Sequence, residues 1–165
     1  MLLKQRIQGD LTEAVKRGEE ITRSVLRMLI ASITAKEKEK RYKLIKTQEE
    51  LGQEEIEKQS ELTNEEVIQL LQSEIKKRKE AVLGFEKGGK SDLAEKEKKE
   101  KEILEKYLPE QLSEEEIKKL AQEAIETTGV NTIKDIGKVM GELMPKIKGR
   151  AEGGKASEIV KKLLT

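Results

Sequence analysis

Tyr107-Leu108-Pro109-Glu110-Gln111-Leu112-Ser113-Glu114-Glu115-Glu116-Ile117 is the stretch on which the architecture turns. Ser113 stands as a helix N-cap, Glu116 three residues later is its capping-box partner, and Leu112 is placed to staple against Ile117. Just upstream, Pro109 disfavours helical backbone at Leu108. One helix therefore closes before the proline and another opens at Ser113, which predicts a domain boundary at 109–112.

Downstream, Ile117, Leu120, Ala121, Ala124 and Ile125 form one apolar face, which Gly129 should end. Thr132 is expected to cap a second helix carrying Ile133, Ile136, Val139, Met140, Leu143 and Met144, the two methionines being core. On it, Gly137 and Gly141 lie four apart and read as a close helix–helix contact. A flexible glycine-punctuated loop, 149–154, then leads into a third helix with Ile159, Val160, Leu163 and Leu164. Residues 113–165 thus read as a small three-helix domain.

Upstream, residues 1–109 read as a helical N-terminal domain. Leu3, Ile7, Leu11 and Val15 make one stripe stopping near Gly18, and Ile21, Val25, Met28, Leu29 and Ile33 make the next. After Lys36 the apolar content collapses, so about 41–61 is a polar insertion, either a solvated helix extension or a partly ordered excursion. Thr63 and Glu66 form another capping-box spacing, opening a helix with Val67, Leu71, Ile75, Val82 and Phe85 that ends at Gly88-Gly89. Ser91-Asp92 begins the last helix of this half, with Leu93, Leu104, Tyr107 and Leu108 expected to face inward.

Composition agrees with an all-α chain. Charged residues are 41% of the 165 and aromatics 2%, so the core must be aliphatic and thin, as in small helical bundles. The net charge of +1 provides no global field toward nucleic acid or membrane. With no His and no Cys there is no His-based triad, no thiolate chemistry, no disulfide and no zinc site of the usual kinds. Met1-Leu2-Leu3-Lys4-Gln5-Arg6 breaks the apolar run too early for a signal peptide, and no run reaches the ~20 residues of a membrane span. The expectation is a soluble cytoplasmic protein with no cofactor, no metal and no catalytic residue marked by the sequence.

Gly84-Phe85-Glu86-Lys87-Gly88-Gly89-Lys90-Ser91 matches the phosphate-loop pattern letter for letter. That chemistry needs a buried strand before the loop, whereas Lys76-Lys77-Arg78-Lys79-Glu80 reads as charged helix, so nucleotide binding is rejected. The run Lys76 to Lys79, flanked by Glu74 and Glu80, reads as a solvated face. Local charge asymmetry is more informative. After Gly129 there are eight basic and four acidic residues, a net +4. Lys146, Lys148, Arg150 and Lys155 cluster around Gly149, Gly153 and Gly154, with Lys138 upstream. Glycines admit a phosphate backbone closely and arginine can fork two hydrogen bonds to it. The patch lacks interleaved aromatics, which favours folded RNA read by shape and backbone over single-strand stacking.

Tyr107 to Glu116, together with Asp135-Ile136-Gly137-Lys138-Val139-Met140-Gly141 and Lys148-Gly149-Arg150-Ala151-Glu152-Gly153, resembles the GatB/YqeY family. Leu26-Arg27-Met28-Leu29, Lys76 to Glu80 and Ser91-Asp92-Leu93-Ala94 add to the resemblance, which spans the chain except roughly 41–61. It implies a helical N-terminal domain and a three-helix C-terminal domain. The latter is similar to the tail of the B subunit of the tRNA-dependent amidotransferase and to an appendage of some glutaminyl-tRNA synthetases. In those proteins the tail grips the tRNA body while amide chemistry occurs elsewhere. The family is associated with carbon–nitrogen ligation using glutamine as amido donor, yet nothing here resembles a glutaminase or a transamidation centre. Glu152 stands where the family usually has Asp, and Lys90 where it tends to have Arg. The leading expectation is a non-catalytic tRNA-binding accessory protein, with Lys138, Lys146, Lys148, Gly149, Arg150, Gly153, Gly154 and Lys155 at the RNA. Amidotransferase subunits or an aminoacyl-tRNA synthetase are the implied protein partners. The alternatives are an amidation component and a helical protein-interaction module.

Overall fold

The computed structural model describes residues 2–48 and 50–165. Met1, with which the expected N-terminal domain begins, and Glu49, inside the expected polar insertion, lie outside the described residues. The fold is all-α, with eight α-helices and one 3-10 turn and no strand among the described residues. The chain divides into two compact units, Met1–Tyr107 and Leu108–Thr165.

In the first unit, α1 (Leu3–Arg17) packs on α2 (Glu20–Thr47), α3 (Gln53–Ser60) folds back on α2, and α4 (Asn64–Lys87) pairs with α5 (Ser91–Glu105). Gly18 ends α1 in the left-handed region at φ 69°, which glycine adopts without a Cβ clash. Thr63 completes its capping box with Glu66. Asn64 Oδ1 accepts a hydrogen bond from the Leu3 N–H at 2.8 Å, so the start of α4 also caps the start of α1. The core is Ile7, Ala14, Val25, Leu26, Leu29, Ile33, Val67, Leu71, Ile75, Val82, Ala94, Leu104 and Tyr107. The Tyr107 hydroxyl donates to Asp10 at 2.8 Å, and burial together with that carboxylate raises the phenol pKa above its ordinary value.

Several expected stripes rotate. Val15, Ile21, Met28 and Leu93 are exposed, while Ala14, Leu26 and Ala94 take their inward places. A helix shares its core among several neighbours, so the buried face is wider than one stripe and its centre is set by the partners. Nor is Lys76–Lys79 wholly a solvated face. Arg78, 13% exposed at the side chain, pairs with Glu97 at 2.9 Å and with the buried Glu100. The polar segment is both a helix extension and a separate element. α2 runs on to Thr47, and α3 then returns against it, joined by Arg41–Glu57 at 3.0 Å.

The second unit comprises α6 (Glu114–Thr128), a 3-10 turn (Ile133–Asp135), α7 (Ile136–Ile147) and α8 (Gly153–Leu163). Ser113 and Glu116 form the expected capping box and Gly129 the left-handed C-cap. Thr132 departs from expectation: it precedes the 3-10 turn and makes no side-chain capping bond. The methionines also divide, Met140 lying partly buried against the core and Met144 39% exposed. Gly137 and Gly141 have open space where a Cβ would stand, so neither makes the close helix contact expected of it. Pro145 sits inside α7, whose last turn loses the rung that its missing N–H would have made to Gly141.

Candidate nucleic-acid interface

The candidate cations are carried by the end of α7, the turn after it and the first turn of α8. α7 ends at Lys148, whose ψ of 123° leaves the helical region, and Gly149 at φ 77° completes a turn in which the Arg150 and Ala151 N–H groups both close on the Ile147 carbonyl, at 2.9 and 3.0 Å. The segment entering α6 stitches this turn in place. Leu112 N–H donates to the Arg150 carbonyl at 2.8 Å, Gln111 Nε2 to the Gly149 carbonyl at 3.0 Å, and Arg150 Nε to the Glu110 carbonyl at 3.2 Å. Three side-chain and backbone ties make this a pinned turn, in place of the flexible loop the glycines suggested.

The three glycines have different tasks. Gly149 is buried and shapes the turn. Gly153 and Gly154 are not in the loop at all; they form the first turn of α8. A Cβ on Gly153 would come within 3.4 Å of Met144 Cε, so Gly153 is packed against α7, whereas Gly154 faces open space. Glu152, the residue before α8, makes no side-chain capping hydrogen bond to the start of that helix.

Of the cations, Lys148, Arg150 and Lys155 are exposed on this turn and the start of α8. Lys138 does not join them. It is paired with Asp135 at 3.1 Å, two helical turns and roughly 12 Å of rise before Lys146. Lys146 pairs with Glu142 at 3.0 Å and Lys155 with Glu114 at 3.5 Å. Glu116 is held below its ordinary pKa of 4.5 chiefly by the Ser113 N–H, then by the Ser113 hydroxyl, with a smaller contribution from Arg150. The basic turn therefore lies against the acidic start of α6. Sequence reasoning missed this pairing of Lys155 with Glu114, because the two are 41 positions apart and only the fold joins them.

The phosphate-loop look-alike has no such geometry. Gly84 lies within α4, Gly89 takes φ 67° in the turn, and Lys90 precedes α5. Among the described residues no three carboxylates are grouped to hold a metal ion, and no helix is long and apolar enough to cross a membrane. The family model described as Yqey-like protein matches residues 34–164, taking in the second half of α2 and all but the last residue of the second unit. No curated protein matches the chain.

Proposed function

The chain belongs to the Yqey-like protein family, and on that premise we propose that it is a non-catalytic tRNA-binding accessory protein whose second unit contacts the RNA backbone. The observation that supports this reading is the gathering of Lys148, Arg150 and Lys155 at the α7–α8 turn and the start of α8. Phosphate oxygens suit that combination of cations and a helix N-terminus. The second unit contains none of the chain's three aromatics, Tyr42, Phe85 and Tyr107, so its contact is with backbone and shape and involves no base stacking. RNA must compete with Glu114 for Lys155, which keeps affinity moderate and salt-sensitive.

Titration with folded tRNA at several salt concentrations tests this. Neutralising three or four phosphates gives a log–log salt slope on the order of −3. Arg150→Ala weakens binding by about 1 kcal/mol, the lower end for a charged hydrogen bond, because the residue is exposed. Equal affinity for a linear RNA of the same length would remove the shape claim. A larger loss from glutamines at Lys76, Lys77 and Lys79 would place the site on the first unit. Glutamine-dependent amidation by the purified chain would overturn the non-catalytic reading in favour of the enzymatic one.

A further inference from the structure

A second surface, on the first unit, has the ingredients the α7–α8 turn lacks. Residues 36–46 carry six basic side chains against two acidic ones. The inward cations are engaged by the fold: Lys40 with Glu66 at 2.9 Å and Arg41 with Glu57 at 3.0 Å. The outward ones differ. At 100° per residue, Lys38, Tyr42 and Lys46 fall in line at i, i+4 and i+8 on one exposed face of α2, with Ile45 beside them. Tyr42 is 59% exposed and Ile45 51%. Lys46 Nζ lies 4.8 Å from the centroid of the Tyr42 ring. Lys38 and Lys46 make no ion pair among the described residues. Glu39, on the flank of this face, is fully ionised, its pKa lowered to about 2 by Lys36 and Lys43, and those two cations offset its charge.

We propose that this face is a stacking platform for an unpaired base of single-stranded RNA, with Lys38 and Lys46 meeting the phosphates on either side. Every base has a π-face, and an exposed aromatic flanked by cations is the arrangement that binds single strands with little sequence preference. Charge complementarity selects a polyanion, and the aromatic selects one that carries rings. That the strand is RNA rests on the function proposed above; stacking on Tyr42 needs only α2.

The chain has no tryptophan, so Tyr42→Trp installs a unique fluorophore at the platform. The protein tested is the full chain carrying Tyr42→Trp with Arg150→Ala and Lys155→Gln, which disables the α7–α8 turn. Octa-adenylate is expected to quench the emission, and polyphosphate of equal charge to leave it unchanged. In the chain with Tyr42 as its starting residue, Tyr42→Ala should weaken octa-adenylate binding about tenfold and Tyr42→Phe less than about twofold. Lys46→Gln should flatten the salt slope by about one. No quenching, equal quenching by polyphosphate, or an unaltered affinity in Tyr42→Ala overturns the proposal. Quenching by octa-adenylate in the Tyr42→Trp chain with Arg150 and Lys155 intact, together with no binding of folded tRNA by that same chain, would sink the α7–α8 reading and leave this one standing.

Discussion

The two units handle charge differently. In Leu108–Thr165 the eleven residues of the buried cluster are all apolar, and its ion pairs lie at the surface. In Met1–Tyr107 the buried set includes Glu100, which meets Arg78 from the neighbouring helix. The cause is visible in the helices themselves. α5 is KEKKEKE over much of its length, so a hairpin of α4 and α5 cannot close on aliphatic contact alone. α7, by contrast, offers Val139, Leu143 and Ile147 in a continuous face. The lesson is that an apolar core is stabilising by burial, whereas a buried ion pair chiefly makes its own disruption costly.

That contrast can be broken most directly at Arg78. Arg78→Ala strands Glu97 and Glu100 together and is expected to cost about 3–5 kcal/mol, read by denaturant unfolding. Replacing Arg78 by Met together with Glu97→Gln and Glu100→Leu should restore most of that loss. If the triple change is no better than Arg78→Ala, the pair contributes more than compensation for its own burial.

Leu143→Ala tests the apolar unit, at an expected cost of about 2–4 kcal/mol for a fully buried leucine. The fragment 108–165 should melt cooperatively by circular dichroism, and the same change in the fragment should abolish that transition, since so small a domain is marginal. A fragment without helical signal would mean that the unit depends on the remainder of the chain.

The capping boxes sharpen the comparison, because both units have one. Ser113→Ala and Thr63→Ala should each cost about 1 kcal/mol. Glu116 adds a pH signature. Its folded pKa lies below the unfolded value of 4.5, so its stabilising contribution is complete above 4.5 and is lost as pH falls through the folded value. Acid melting of the 108–165 fragment should therefore be less steep in Glu116→Gln below pH 4.5. The smallest effect is expected at Lys16, whose pair with Glu13 leaves both side chains more than half exposed. Lys16→Gln should leave the unfolding midpoint unchanged within error.

Local chemistry explains which features were legible in the sequence. Caps and stops act within four residues, so Thr63 with Glu66, Ser113 with Glu116, Gly18 and Gly129 could be read directly. Thr132 failed because a cap residue type does not by itself decide whether an α-helix or a 3-10 turn follows. The candidate cations were legible as residues, but their surroundings were not. Lys155 meets Glu114, Arg150 Nε meets the Glu110 carbonyl, and Lys138 stands apart with Asp135.

The sequence by itself determined that this protein is helical, where most helices start and stop, and that its core is aliphatic, since propensity, capping and composition are properties of neighbours along the chain. Tertiary structure alone decided that Leu26 is buried while Met28 is exposed, that Arg78 leaves the solvent for Glu97 and Glu100, and that Gly153 lies under Met144. Those outcomes depend on which helix stands opposite, and burial and ion pairing act between residues that only folding brings within a few ångströms of each other.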